Sequence, residues 1–432
     1  PEYLRYSAAH STVIIQNTNI SEIKENNPHI KFPQSVTFSL NESQNVTVFE
    51  YIVGLTAAQK RLPIASNVLT KDMGFTSDIL HSNRKGKVRH GSVHKPVHHS
   101  VSFSFDDARE LAYVFQGKKS GYSYGRQVNP TVTALQEKID LMEKSYETIA
   151  FGTGMAAIGS TIFSLLRPGD HFISSSFLFG NTNSLFQSFM SHGIETSFVD
   201  ATCAENVRAA IKENTKLVFV ETIANPRTQI SDLEGIGQLC KSKALIYFVD
   251  NTLTTPYLYS PITSGANLVI NSLTKYIGGH GTAIAGSIVD SGNFDWTADP
   301  KRQPLFNEPD ASYNGAVWGK AVPELTGANI PFAVRARVCL LRDLGSACSP
   351  DNAFAIIQGL ETVALRMRQH CANADYVVNF LKKHKEVTKV IYSTEHEKPI
   401  ADRAKKYLTG GNGPMVGIEL KGGIEAGKRF IE

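Results

Sequence analysis

The chain predicts an α/β architecture with a mostly parallel central sheet, on three observations. Near-continuous apolar runs recur between Ile149 and Ile270, segments of helix length separate them, and a capped amphipathic helix opens the series. Runs that are apolar throughout, rather than alternating, belong to strands buried on both faces.

Residues 1–85 stand apart, rich in Asn, Ser and Thr. Ser35–Leu40 alternates strictly, and Val46–Val53 follows the polar Asn41–Asn45, which predicts a β-hairpin in a small N-terminal extension of unassigned role. A basic link runs from Arg84 through Lys85, Lys87, Arg89, His90, His94 and His98 to His99. Gly91 and Pro96 keep these rings off one helical face, and no Cys or carboxylate interleaves, so it reads as a solvated linker and not a metal site.

Asn129–Pro130 is an N-cap followed by proline at the first helical position. Val132, Leu135, Ile139 and Met142 then recur at helical spacing. Strands are expected at 149–151, 171–173, 217–220, 245–249 and 268–270. Beyond about residue 320, long helical stretches such as Ser349–Lys382, opened by Ser349–Pro350, lead into a second domain.

Composition sets the outer limits. The 432 residues are 42% hydrophobic and 19% charged, which excludes wholesale disorder and fibrous repeats. Lys and Arg (44) nearly balance Asp and Glu (40), arguing against nucleic acid or an anionic membrane as partner. Five scattered cysteines, an odd number without a CxxC pair, read as small buried apolar residues in a reducing compartment. No apolar run of about 18 residues is present. Pro1–Tyr6 lacks the pattern of a signal peptide, and a cytoplasmic location is expected.

Ligands of an open α/β sheet bind beyond the carboxyl ends of its strands, so the residues after each strand carry the chemistry. Gly152-Thr153-Gly154-Met155-Ala156-Ala157 opens a helix whose backbone N–H groups suit a phosphate. A dinucleotide site is one reading of that motif, but the run His171–Ile173 leads into Ser174–Ser176, without the usual carboxylate. Glu221–Pro226 reads as a turn containing Asn225. Leu245–Val249 ends in Asp250, a carboxylate that is costly to bury without a cationic partner. Asn271–Gly281 places Lys275 between hydroxyls and glycines directly after a buried strand. A desolvated lysine is a competent amine nucleophile toward a carbonyl. With Asp250 it suits a pyridine ring: the lysine as Schiff base with pyridoxal 5′-phosphate (PLP), the aspartate on the ring nitrogen, and Ser272, Thr274 and the Gly154 helix start on the phosphate.

The series Tyr124–Thr131, Gly152–Met155, Val249–Thr252 and Ser272–Lys275, in this order, resembles the Cys/Met-metabolism PLP-dependent enzymes, from about residue 90 onward. These include cystathionine γ-synthase, cystathionine lyases, methionine γ-lyase and O-acylhomoserine sulfhydrylases. The resemblance implies the aspartate-aminotransferase-like fold (fold type I). It divides the chain into an extension (1–85), an arm contacting a neighbouring subunit (86–128), a PLP-binding domain (129–320) and a smaller α+β C-terminal domain (321–432). It assigns Lys275 as the PLP-bearing base, Asp250 to the ring nitrogen, Asn225 to the ring 3′-oxygen, and Gly154, Met155, Ser272 and Thr274 to the phosphate. Tyr124 and Arg126 reach the phosphate of a neighbouring subunit, implying a homodimer or homotetramer acting on a small amino-acid substrate.

Ser272–Thr282, with Gly281 where synthases and lyases more often carry Ser, is most similar to the sulfhydrylase branch, as are Asp290–Trp296 and Ala336–Gly345. The expected reaction is γ-replacement on O-acetyl- or O-succinylhomoserine by sulfide or cysteine, with γ- or β-lyase activity as the alternative. Two departures stand out. Phe179 replaces the family's tyrosine, keeping its stacking surface but not its hydroxyl. The chain stops at Glu432, before the family's Ser-Leu-Gly loop and the arginine that grips the substrate carboxylate, so an incomplete C-terminal domain is expected. These departures also allow a catalytically weak, PLP-binding regulatory relative.

Overall fold

The computed structural model describes residues 4–7, 12–16, 46–49, 74–81, 88–115 and 119–432, in two units, Pro1–Pro96 and Val97–Glu432. In the first unit, β1 (Leu4–Ser7), β2 (Thr12–Gln16) and β3 (Val46–Phe49) form an antiparallel sheet in that order. The predicted strand at Val46 exists, but its partner is β2, with Val13 opposite Phe49. Ser35–Leu40 lies outside the described residues, as do Arg84, Lys85 and Lys87 of the basic link.

The second unit is built on seven strands: β4 (Glu147–Phe151), β5 (His171–Ser175), β6 (Glu195–Val199), β7 (Thr215–Glu221), β8 (Ile246–Asp250), β9 (Leu268–Asn271) and β10 (Gly286–Asp290). Their order is β4-β10-β9-β8-β7-β5-β6, and all pairs are parallel except those of β10 with its two neighbours. The five expected strands are present. β6 and β10 carry no signal as clean: β6 lies at the sheet edge and is only half-buried, and β10 returns antiparallel.

Asn129 caps the helix Pro130–Glu143, its side-chain oxygen accepting from the Thr131 and Val132 N–H groups. Val132, Leu135, Ile139 and Met142 are buried as their spacing requires. On one sheet face Phe172, Phe186, Phe219 and Phe248 meet edge to face in a row, with centroids 4.9–5.0 Å apart. Each such ring, fully withdrawn from water, contributes about 2–3 kcal/mol. Four cysteines are buried, but Cys203 is exposed, because it precedes a short surface helix instead of lying within a packed one.

The single helix expected over Ser349–Lys382 is two, Pro350–Leu360 and Val363–Leu381. The break follows from Gly359, whose carbonyl is taken by the Thr362 hydroxyl and the Arg366 guanidinium. Ser349 does cap the first of them, accepting from Asn352 N–H. The chain then forms a two-stranded antiparallel sheet, β11 (Val387–Ile391) with β12 (Gly417–Leu420), and the helix Gly423–Ile431. Among the described residues, no helix is long and apolar enough to cross a membrane.

Candidate active site

β7, β8 and β9 run parallel, so their carboxyl ends open on one edge of the sheet, where a cavity of about 650 Å³ lies. Its wall contains Gly154, Met155, Phe179, Asn225, Asp250, Ser272, Thr274 and Lys275, brought together from successive strand ends and the turns behind them.

β8 register sets Asp250 opposite Glu221 of β7. Burial pushes the Asp250 carboxyl up to about 6, against hydrogen bonds from Thr252. Glu221 is raised further by its own burial and by the neighbouring Asp250 charge. Its oxygens accept from the Phe179 N–H at 2.7 Å and the Asn225 N–H at 3.0 Å, tying the two loops that flank the cavity. Glu221 is therefore a site residue that sequence reading took for part of a turn. The signal was the one that singled out Asp250, a carboxylate closing a buried apolar strand.

Gly154 starts a twelve-residue helix capped by Thr153, whose hydroxyl accepts from Ala156 N–H at 2.9 Å. A Cβ on Gly154 would stand 2.9 Å from the Ser272 Cβ, so only glycine lets the helix start meet the β9 turn. The Ser272 N–H donates to the Thr252 hydroxyl at 2.8 Å. Thr274 lies on the cavity wall, but its hydroxyl donates to the Ala285 carbonyl at 3.1 Å.

Lys275 is more exposed than a residue behind a buried strand is expected to be. After β9 the chain turns outward, with the Lys275 N–H donating to the Ser272 carbonyl at 3.1 Å, and the side chain stands in the open cavity. Among the described residues, neither Lys275 nor Asp250 forms an ion pair. The turn is clamped from the helix Val363–Leu381. Arg366 donates to the carbonyls of Ile277 at 3.1 Å and Gly359 at 2.7 Å, and also to that of Tyr276. Among the described residues no carboxylate pairs with it, and burial lowers its guanidinium below the usual value. No sequence signal marks Arg366, which acts on a segment about 90 residues upstream. Replacing Arg366 with Ala removes the donor to the Tyr276 and Ile277 carbonyls, while Gly359 keeps Thr362, and is expected to cost about 2–4 kcal/mol. Urea denaturation checks this: the midpoint falls with the slope unchanged.

Tyr124 and Arg126 do not line the cavity. The Arg126 guanidinium lies over the Tyr124 ring at 5.1 Å, and Tyr124 is 39% exposed.

The donor set fits one ligand class. An aldehyde suits the free Lys275 amine, a ring nitrogen that holds a proton suits the unpaired Asp250 carboxylate, and a phosphate suits the helix start packed on Ser272. Among the described residues no group of His, Cys, Asp and Glu is arranged to hold a metal.

Residues 76–432 match the family of Cys/Met metabolism PLP-dependent enzymes. The chain is 38% identical over 343 residues to O-acetyl-L-homoserine sulfhydrylase of Leptospira meyeri, covering 78% of this chain and 77% of that protein. It is 36% identical to homocysteine synthase of Schizosaccharomyces pombe over 82% of this chain and 81% of the relative. It is 34% identical to L-methionine gamma-lyase of Fusobacterium nucleatum, over 84% and 82%. Among solved structures, a Campylobacter jejuni protein assigned as an O-acetylhomoserine (thiol)-lyase, with N′-pyridoxyl-lysine-5′-monophosphate, superposes with a TM-score of 0.76 at 29% identity. That likeness covers 81% of this chain and 85% of the other.

Proposed function

The chain belongs to the Cys/Met metabolism PLP-dependent enzymes, and we propose that its reaction is γ-replacement on an O-acylated homoserine by a sulfur nucleophile, sulfide or cysteine. The observation that carries the chemistry is the convergence of Lys275, Asp250 and the Gly154–Ser272 contact on one cavity. The names of the sulfhydrylase and homocysteine synthase relatives support the choice of substrate.

When bound, PLP accepts electrons from the substrate carbon attached to its nitrogen. Asp250 would hold the ring nitrogen in its protonated form, and Asn225 would bond the ring 3′-oxygen. The backbone of Gly154 and Met155 with the hydroxyls of Ser272 and Thr274 would hold the phosphate. Thr274 does so once it turns from Ala285. Phe179 would cover the ring and exclude water. Lys275 Nζ would carry the cofactor at rest and then move protons between the substrate α- and β-carbons. Overall, the γ-carbon–oxygen bond breaks with its electron pair leaving on the carboxylate, and the sulfur nucleophile bonds to that carbon. Tyr124 and Arg126, exposed and stacked on one another, are offered to a neighbouring subunit's phosphate, so the working unit is at least a dimer. The arm 86–128, the PLP domain 129–320 and the C-terminal domain 321–432 remain the division that this reading uses. Free cysteines suit a cytoplasmic setting.

The test is product formation from O-acetyl- or O-succinylhomoserine with sulfide or cysteine. Homocysteine or cystathionine supports the proposal. Release of 2-oxobutyrate alone would shift the reading to a lyase, and a visible PLP band without turnover would shift it to a regulatory relative. Phe179 separates the first two. Restoring the hydroxyl with Phe179→Tyr is expected to raise 2-oxobutyrate release from methionine by about 10–100-fold, as one added acid–base group can. An unchanged rate means that the hydroxyl is not what limits elimination.

A further inference from the structure

Behind the cavity floor lies a carboxyl group that the reaction does not use. Glu143 ends the helix Pro130–Glu143 and is fully buried. Its Oε1 accepts from the Asn271 side-chain amide at 2.9 Å and from the Asn251 amide at 3.4 Å. Asn271 is the last residue of β9, one before Ser272, and Asn251 directly follows Asp250. Two buried oxygens remain without a partner, Oε2 of Glu143 and Oδ1 of Asn271. Both are acceptors when the carboxyl is ionised. One proton on Oε2 would make it a donor, and Asn271, whose amide nitrogen already bonds Oε1, carries a matching unpartnered acceptor on the same amide.

We propose that Glu143 is a positioning residue of the active site: held as a neutral carboxylic acid, it forms a two-legged acid–amide pair with Asn271 and fixes the strand ends that carry Asp250 and the Ser272–Lys275 turn. This assignment rests on the PLP reading of the cavity for its purpose, but not for its geometry.

The surroundings agree. Asn251 and Asn271 bond the Glu143 carboxyl, the Ser260 hydroxyl donates to its backbone carbonyl at 3.2 Å, and none of the three ionises. The neighbouring titratable groups are engaged elsewhere: Asp250 faces the cavity and accepts from Thr252 N–H, and the Tyr259 hydroxyl is bonded to Ser264. Burial pushes the Glu143 carboxyl up to about 7. Asn251 extends the connection: its Nδ2 donates to the Tyr259 carbonyl at 2.8 Å, and its Oδ1 accepts from the Thr222 hydroxyl at 2.9 Å, just beyond β7. One neutral acid thus joins the carboxyl ends of β7, β8 and β9. An ionised Glu143 would set its second oxygen against the Asn271 oxygen with no donor between them, deep in the protein interior.

Glutamine reproduces the neutral acid, with one acceptor and one donor on the same fork, whereas alanine removes both legs. The first measurement is the thermal midpoint of the cofactor-free full chain from pH 5 to pH 8.5. A folded-state value raised above that of the unfolded chain gives a contribution that is present below about pH 4.5 and lost as pH rises through about 7. Wild type should therefore fall relative to Glu143→Gln as pH rises, by roughly 3–6 °C across the range. The second measurement is the visible band of each protein after loading with PLP. At pH 5–6, where the acid is neutral, Glu143→Gln should keep the wild-type band, whereas Glu143→Ala should shift it or lose at least about tenfold in PLP affinity. A Glu143→Gln protein that behaves like Glu143→Ala, or a midpoint difference from wild type that is flat with pH, overturns the assignment. Absence of the band from wild type itself would count against the cofactor reading and leave the cofactor-free comparison to decide the Glu143 pair.

Discussion

Lys275→Ala abolishes both the visible absorbance of the PLP-loaded protein and turnover, with the rate falling by at least about 10³–10⁴-fold. The size follows from the double duty proposed for the side chain: among the described residues it is the only lysine on the cavity wall, and it would both anchor the aldehyde and supply the mobile proton. Its removal costs little stability, because the exposed amine has no ion pair among the described residues. The variant should fold with a midpoint close to that of wild type, which separates lost chemistry from lost structure. A visible band in the variant that borohydride bleaches, with the pyridoxyl group then retained through denaturing gel filtration, would show that another amine carries the cofactor.

Asp250→Asn has the second largest effect, and its two halves have opposite sign. In the cofactor-free protein Asp250 is a half-buried carboxylate on the cavity wall beside the buried Glu221, and loss of solvent raises its value to about 6. The unfolded chain loses that proton first, so stability declines as pH rises from about 4 to about 6 and stays reduced above. The substituted amide carries no charge to bury, and the variant should melt above wild type at pH 7–8, by a few degrees. With PLP bound, the order reverses. A protonated ring nitrogen would give Asp250 the cationic partner that it does not have among the described residues, and an amide could not stabilise it comparably, so turnover should fall by about 10²–10³-fold. Calorimetry with and without PLP, paired with the turnover assay, reads both halves. A variant less stable than wild type without cofactor would mean that Asp250 is already paired in the free protein.

Five of the seven strands of the central sheet could be read from the sequence because burial on both faces leaves an unbroken apolar run, Leu217–Val220 being the plainest. β6 was hidden by its half-exposed edge position, and β10 by its reversed direction, which no local pattern reports. At the site, residues that follow strands directly were visible, Asp250 and Lys275 above all. Arg366 and Glu143 were not. Each acts on partners about 90 to 130 residues distant, through backbone carbonyls or amides, and neither leaves a local pattern in its own stretch of sequence. The exposure of Lys275 was missed for a related reason: spacing tells where a turn begins, not which way it points.

The place of β10 in the sheet has a bearing on how the protein is made. β4, which leads into Gly152 and Gly154, has one sheet neighbour, and that neighbour begins about 135 residues downstream. At about 5–20 residues per second, a ribosome takes on the order of ten seconds to supply it. For that interval the apolar Ile149 and Phe151 lack their strand partner, and the Thr153–Gly154 turn lacks Gly286, which packs directly against it in the folded chain. Closure of the turn that would hold the phosphate is therefore expected only late in synthesis.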